Sequence, residues 1–165
     1  MTLLLLCLGV PMAPPALAET TPVTLGTVSN LPIPRFVSLK APKGFLRRGP
    51  SKDHRVDWVL TQRGIPLRVV AEYDRWRKVE DFEDATGWIH VSLITGTRTV
   101  LVTEPILELR EAPHPNARVV ARVESDVVAR LHECHATHCR IDARGHRGWA
   151  PKSALWGVLP DEIRD

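Results

Sequence analysis

The sequence is short of three things: charge of one sign, uninterrupted apolar runs, and the motifs that mark hydrolases and nucleotide-using enzymes. Lys and Arg number 22 against 19 Asp and Glu, a formal net charge of +3 over 165 residues. That imbalance is too small for the concentrated basic face of a dedicated nucleic-acid binder. The apolar run Leu3 to Val10 is followed by Pro11, Pro14 and Pro15 and falls short of the ~20 residues of a membrane span, so no span is expected in the mature chain. Gly-x-Ser-x-Gly, Gly-x-x-x-x-Gly-Lys and His-Glu-x-x-His are absent, which removes nucleophile elbows, phosphate loops and metalloprotease helices. A cysteine peptidase needs a separate fold to hold thiol and base, and the chain has no room for one beside the units described below. No catalytic residue and no cofactor are expected. Aromatics are few as well, at 5%, while Pro numbers 14 and Gly 10. Such a composition favours short elements joined by frequent turns, hence an all-β fold. With 44% hydrophobic residues the chain can bury a core. Coiled coils, collagen, polytopic membrane proteins and large multi-domain enzymes are excluded.

Residues 2–18 carry no charge, and Ala16-Leu17-Ala18 precedes Glu19. This reads as a secretory signal peptide with an Ala-x-Ala cleavage site, and it directs the protein to the periplasm. No Lys or Arg precedes the apolar run, so either the start codon lies upstream or the signal is weak. Cleavage after Ala18 removes Cys7 and leaves Cys134 and Cys139 with four residues between them. In an oxidising compartment two such thiols are read first as a disulfide. Across a hairpin they meet the Cα spacing a disulfide tolerates. The surrounding segment, His132 to Cys139, holds three imidazoles and two sulfurs, so zinc and a reduced, inert pair are the alternatives.

The chain repeats itself. Leu46-Arg47-Arg48-Gly49-Pro50 returns as Leu109-Arg110-Glu111-Ala112-Pro113 at an offset of 63, and Trp76-Arg77-Lys78-Val79 returns loosely as His138-Cys139-Arg140-Ile141 at 62. Gly87-Trp88-Ile89 returns as Gly148-Trp149-Ala150 at 61. The order is kept, and the drift is what loop indels produce. Each unit of about 60 residues folds alone only marginally. Short β-branched and aromatic segments bounded by Gly, Pro, Asp and Ser give five strands per unit, a small antiparallel barrel. The positions matching Cys134 and Cys139 in unit one are Glu72 and Arg77. A cross-strand ion pair there would hold the same hairpin, contributing about 0 to 1 kcal/mol if exposed.

These marks carry a family resemblance. The chain resembles bacterial Src homology 3-like (SH3b) domains in tandem. More closely, the series Leu31-Pro32-x-Pro34-Arg35-Phe36, Leu46-Arg47, Gly49-Pro50, Val56-Asp57-Trp58-Val59, Trp76-Arg77-Lys78 and Gly87-Trp88-Ile89-His90 looks like a group of exported SH3-like proteins common in alphaproteobacteria. Unit two continues it through Cys134, Cys139-Arg140, Gly148-Trp149 and Ala154-Leu155-Trp156-Gly157-Val158, so the likeness runs from about residue 30 to 158. One position departs: His138 stands where the family usually has Trp, which weakens an aromatic ligand contact in unit two.

SH3-like grooves grip extended ligands with aromatic rings, and unit one holds most of the rings here. Trp58, Trp88 and Trp149 are expected in the barrel cores. Alternation from an inward Val79 turns Arg77 in and Trp76 out. A Trp outside so small a core is either a ligand platform or is covered by the other unit. Trp76 and Tyr73, with the basic loop residues Arg47, Arg48 and Lys52, are therefore the candidate ligand-binding residues. The acidic run Glu80, Asp81, Glu83 and Asp84 is expected as a solvated hairpin tip.

The expected organisation is a signal peptide over 1–18, a linker over 19–33, SH3-like domains over 34–96 and 97–158, and a tail over 159–165. The expected function is non-enzymatic recognition of peptidoglycan or another envelope component, the partner being a wall polymer or an extended peptide of an envelope protein. The alternatives are a protein-interaction module that recruits an envelope enzyme, and a structural or metal-responsive protein built on the His/Cys hairpin.

Overall fold

The computed structural model describes residues 23–165, and the expected signal peptide lies outside the described residues. The first elements described form a separate two-stranded ribbon, β1 (Thr24–Leu25) paired with β2 (Pro32–Ile33). The first barrel follows: β3 (Arg35–Leu39), β4 (Gly44–Arg47), β5 (Val56–Leu60), β6 (Pro66–Tyr73), β7 (Trp76–Glu80), β8 (Thr86–His90), a 3-10 turn Val91–Leu93, and β9 (Ile94–Thr95). The second repeats it with β10 (Thr99–Val102), β11 (Ile106–Arg110), β12 (Val119–Glu124), β13 (Val128–Cys134), β14 (His138–Ala143), β15 (His146–Pro151), a 3-10 turn Lys152–Ala154, and β16 (Leu155–Trp156). Each is a seven-stranded antiparallel sheet. Their strand orders, β5-β4-β8-β7-β6-β3-β9 and β12-β11-β15-β14-β13-β10-β16, are the same order twice. Even the register slips coincide, between Leu46 and Arg47 in one and Leu109 and Arg110 in the other.

Each sheet wraps its own core. Leu39, Leu46, Leu67, Val69, Val79 and Ile89 fill the first, and Val102, Leu109, Ala129, Leu131, Ile141 and Ala150 take their places in the second. Gly87 and Gly148 make the closure possible, since a Cβ at either would lie 2.7 Å from the Cβ of Leu46 or Leu109. The next residue must then turn outward. Trp88 and Trp149 accordingly stand outside the core clusters, with Ile89 and Ala150 inside them, which corrects the expectation of Gly-Trp rings in the barrel cores; Trp149 is nonetheless buried, at 9% exposure, and Trp88 half-buried. Trp58 is corrected too: it lies opposite Leu46 on β5, an edge strand with no second partner, and is 54% exposed.

The repeat's matching pairs close the same hairpin by different means. Cys134 and Cys139 are opposite one another, joined by a disulfide with Cα atoms 4.0 Å apart, and fully buried. Glu72 and Arg77 are likewise opposite, with Arg77 Nε 3.2 Å from Glu72 Oε1. This pair is not the exposed one expected, for the Glu72 side chain has no solvent exposure. It accepts the Val28 and Ser29 amides at 3.0 and 2.8 Å, the Ser29 hydroxyl at 2.7 Å and Arg35 Nη2 at 2.6 Å. Burial alone would push the Glu72 carboxyl up. The Ser29 hydroxyl and amide, Arg35 and the Val28 amide outweigh it and hold the pKa down to about 2.

Through Glu72 the described part of the segment expected as a linker, residues 23–33, becomes a folded arm on the first barrel. The other end behaves alike. Residues expected as a tail dock on the second barrel, where Cys134 and Arg164 exchange backbone hydrogen bonds at 2.7 and 3.0 Å. Arg98 donates to both oxygens of Glu162, at 2.6 and 3.0 Å, and Lys152 Nζ donates to the carbonyls of Pro160 and Glu162.

The barrels pack together. Thr99 opens the second, yet its Oγ1 lies 2.5 Å from Ser38 Oγ and donates to the Gly64 carbonyl at 2.6 Å in the first. Trp156 meets Phe36 edge-on at 5.4 Å between ring centroids and Phe82 at 6.0 Å, with the Arg68 guanidinium 5.1 Å over its ring. At Gly157, φ is +111° and a Cβ would fall 2.7 Å from the Thr99 carbonyl, so the junction admits glycine alone without a shift.

Candidate ligand groove

A groove of about 250 Å³ crosses the first barrel, lined by Phe45, Arg47, Lys52, Trp76, His90, Ser92 and Leu93. Phe45 and Arg47 come from β4, Trp76 from β7, His90 from β8, and Ser92 and Leu93 from the 3-10 turn behind it. Trp76 and His90 are cross-strand partners, their rings edge to face at 5.3 Å. His90 Nδ1 lies 2.8 Å from Ser92 Oγ and accepts the Ser92 amide at 3.3 Å, which fixes the ring. Trp76 belongs to the outer face, as alternation requires. It is 9% exposed, with His90 of its own barrel packed against its ring.

Arg47 shapes the wall of the groove. Its Nη1 donates to the carbonyls of Lys52 at 2.8 Å and His54 at 2.6 Å, which folds the loop between β4 and β5 around the guanidinium. Lys52 is carried on that loop, exposed. Trp76, Arg47 and Lys52 are thus brought together. Tyr73 and Arg48 are not among the lining residues. Tyr73 is opposite Trp76 across the β6–β7 turn and 61% exposed. Arg48 pairs with Asp57 at 3.3 Å. A hydrogen bond from Arg55 and the charges of Arg55 and Arg48 hold the Asp57 carboxyl below its ordinary value, against a smaller effect of burial. Phe45, His90, Ser92 and Leu93 were not anticipated. The Gly87-Trp88-Ile89-His90 series contained one of them, His90, but only as a signature of the fold.

The acidic run is corrected in part. Asp81 is buried and its Oδ1 accepts the Glu83 and Ala85 amides, closing the turn, while Glu80 accepts two bonds from Arg68.

The second barrel holds the counterpart of the groove with its aromatics removed. Glu108 stands for Phe45, His138 for Trp76 and Pro151 for His90, with Arg110 in the place of Arg47. Arg110 Nη1 is again held by its loop, at 2.8 Å from the Ala117 carbonyl, but Nη2 donates to Glu108 Oε2 at 2.6 Å. In the His/Cys hairpin both sulfurs lie in the disulfide. Burial and the charges of Arg147 and Arg130 hold the His132 imidazole below its ordinary pKa, and burial does the same to His138. His135 packs on Trp149 at 4.5 Å. No group of three or more His, Cys, Asp or Glu side chains placed to hold a metal occurs among the described residues.

No curated protein matches the sequence. Solved structures that are similar in part include two NlpC proteins. One is NlpC2 from Trichomonas vaginalis, with a TM-score of 0.34 and 12% identity over 74% of this chain and 48% of that one. The other is NlpC1 from the same organism, with a TM-score of 0.34 and 14% identity over 82% of this chain and 50% of that one. The chain spans about half the length of each. The family described as "Bacterial SH3 domain" matches residues 40–96 and again 103–157, one match on each barrel, and the chain therefore belongs to the bacterial SH3 domain family.

Proposed function

We propose that this protein is a non-catalytic module, exported to the periplasm, that binds peptidoglycan through the groove of its first barrel. Bacterial SH3 domains are commonly cell-wall-binding modules and are generally not catalytic. The observation that carries the reading is the groove itself: an apolar floor of Trp76, Phe45 and Leu93 beside two cations, Arg47 and Lys52. A floor with charges at one side suits a polymer with apolar and ionic groups along its length.

Co-sedimentation of the purified protein with peptidoglycan sacculi tests the reading. Saturable pelleting is expected, weakened by salt because Lys52 is exposed to screening. Trp76→Ala should weaken it by about 30-fold or more, the cost of removing a central aromatic anchor. Lys52→Ala, at an exposed loop position, keeps the test valid should Trp76→Ala unfold. Absence of pelleting by the folded wild-type protein refutes the proposal.

One observation favours a second reading, recruitment of a protein. Strand β5 is an unpaired edge carrying Trp58 and Val59 at 54% and 50% exposure, the arrangement that accepts an added strand. Loss of an envelope-protein partner on Val59→Lys, with sacculus pelleting unchanged, would assign that role to the edge.

A further inference from the structure

We infer that the group recognised in the first groove is a free carboxylate, the C-terminal carboxylate of a wall peptide, held by Arg47 and Lys52 with the peptide's small apolar side chain on Trp76 and Phe45. The inference rests on the wall-binding reading and names the chemistry of that same site.

The duplication itself supplies the argument. In both barrels an arginine of the same strand position is pinned by one nitrogen to the loop behind it: Arg47 through Nη1 to Lys52 and His54, Arg110 through Nη1 to Ala117. In the second barrel the other terminal nitrogen receives a carboxylate from the chain, Glu108, at 2.6 Å, and Arg122 holds the far oxygen of that carboxylate at 3.2 Å. In the first barrel the residue in Glu108's place is Phe45. Neither Arg47 nor Lys52 has a carboxylate partner among the described residues; Asp53, the acid in the same loop, accepts instead from the Ser51 hydroxyl at 3.0 Å. The first groove therefore keeps a donor pair and an uncompensated charge where its twin holds an anion. A planar guanidinium with one edge already fixed gives up little freedom on meeting a carboxylate, and such charge-assisted bonds are the stronger class.

The alternatives fit less well. A cationic ligand would meet two positive charges and no acid in the lining. A neutral sugar needs a broad ring face to stack on, and Trp76 shows only 9% of its surface. So small an exposed area of indole beside 40%-exposed Phe45 suits a methyl-sized group instead.

The test is an NMR titration of the protein with N-acetyl-D-alanyl-D-alanine as free acid and as C-terminal amide, each beside its L,L counterpart, with sacculus pelleting run in parallel. The D,D free acid should shift the Trp76 indole and Arg47 signals and bind at least about tenfold more tightly than the amide, leaving Arg110 unmoved. Phe45→Glu, which imports the Glu108 arrangement at an exposed position, should abolish the preference for acid over amide, and Phe45→Leu should keep it. Equal binding of acid and amide by a protein that still pellets with sacculi overturns the carboxylate inference alone. A failure to pellet overturns the wall reading. Preference for the L,L acid assigns the groove to a protein C-terminus and overturns the wall peptide as its source.

Discussion

Replacing Glu72 by Gln keeps the shape of the side chain and removes its charge from beneath the N-terminal arm. The carboxylate gathers Arg35, Arg77, the Ser29 hydroxyl and two amides, and its pKa falls from the ordinary 4.5 to about 2. At about 1.4 kcal/mol per pH unit, that difference stabilises the folded state by about 3 kcal/mol at neutral pH. Because the folded pKa is the lower one, the contribution is fully present above pH 4.5 and is lost as the pH falls towards 2. Glu72→Gln should therefore cost about 3 kcal/mol at pH 7, leaving two guanidinium groups without a counter-charge, and almost nothing near pH 2. Urea unfolding followed by Trp fluorescence at pH 7, 4.5, 3 and 2 measures the difference between wild type and variant. Acids away from the arm, such as Asp57, titrate in both proteins and cancel. Limited proteolysis at pH 7 should also show residues 24–33 released in the variant. A stability difference that stays constant from pH 7 to pH 2, or that is below about 1 kcal/mol at pH 7, refutes the assignment of Glu72 as the anchor.

Three further outcomes are expected. Reducing the Cys134–Cys139 disulfide, which closes a short loop, should lower stability by about 2 kcal/mol, read as the shift in urea midpoint with and without dithiothreitol. Gly87→Ala should destabilise by about 1–3 kcal/mol or more, since its Cβ would meet Leu46 Cβ at 2.7 Å and the Arg47 carbonyl at 3.2 Å; a thermal melt within 2 °C of wild type would contradict the close approach. Trp156→Ala removes the ring that Phe36, Phe82 and Arg68 share, so a single calorimetric transition should split into two as the barrels uncouple.

The duplicated architecture was legible because its marks are locally determined. Leu-Arg before a Gly- or Ala-Pro turn, and Gly-Trp on the closing strand, answer to strand and turn requirements that each copy must meet. The pairing of Glu72 with Arg77 was legible for the same reason, through its match to the two cysteines. Its burial was not, because the cover comes from Ser29 and Arg35, more than 35 residues away in sequence. The folded arm and the docked tail escaped for that reason too. Trp58 misled because β5 is an edge strand, where a large ring finds no second strand to cover it, and edge position is set by long-range pairing. Trp88 and Trp149 misled because the glycine before each, not the ring, occupies the position against the core. In the groove, the outward face of Trp76 was read by parity, whereas the placing of Phe45 and His90 beside it depends on how β4 and β8 are set against β7, which no local pattern encodes.

The Glu108–Arg110 pair has a consequence for valence. Duplicating a binding domain ordinarily raises avidity, since a second contact holds the ligand while the first lets go. In the second groove, which stays open beside Glu108, Arg110 and Pro151, the arginine is already paired with that glutamate, so on the proposed carboxylate reading it adds no such hold and the protein would leave a polymer at the rate set by one site. Tandem barrels would then serve a single, rapidly exchanging contact, suited to sampling many positions along a wall.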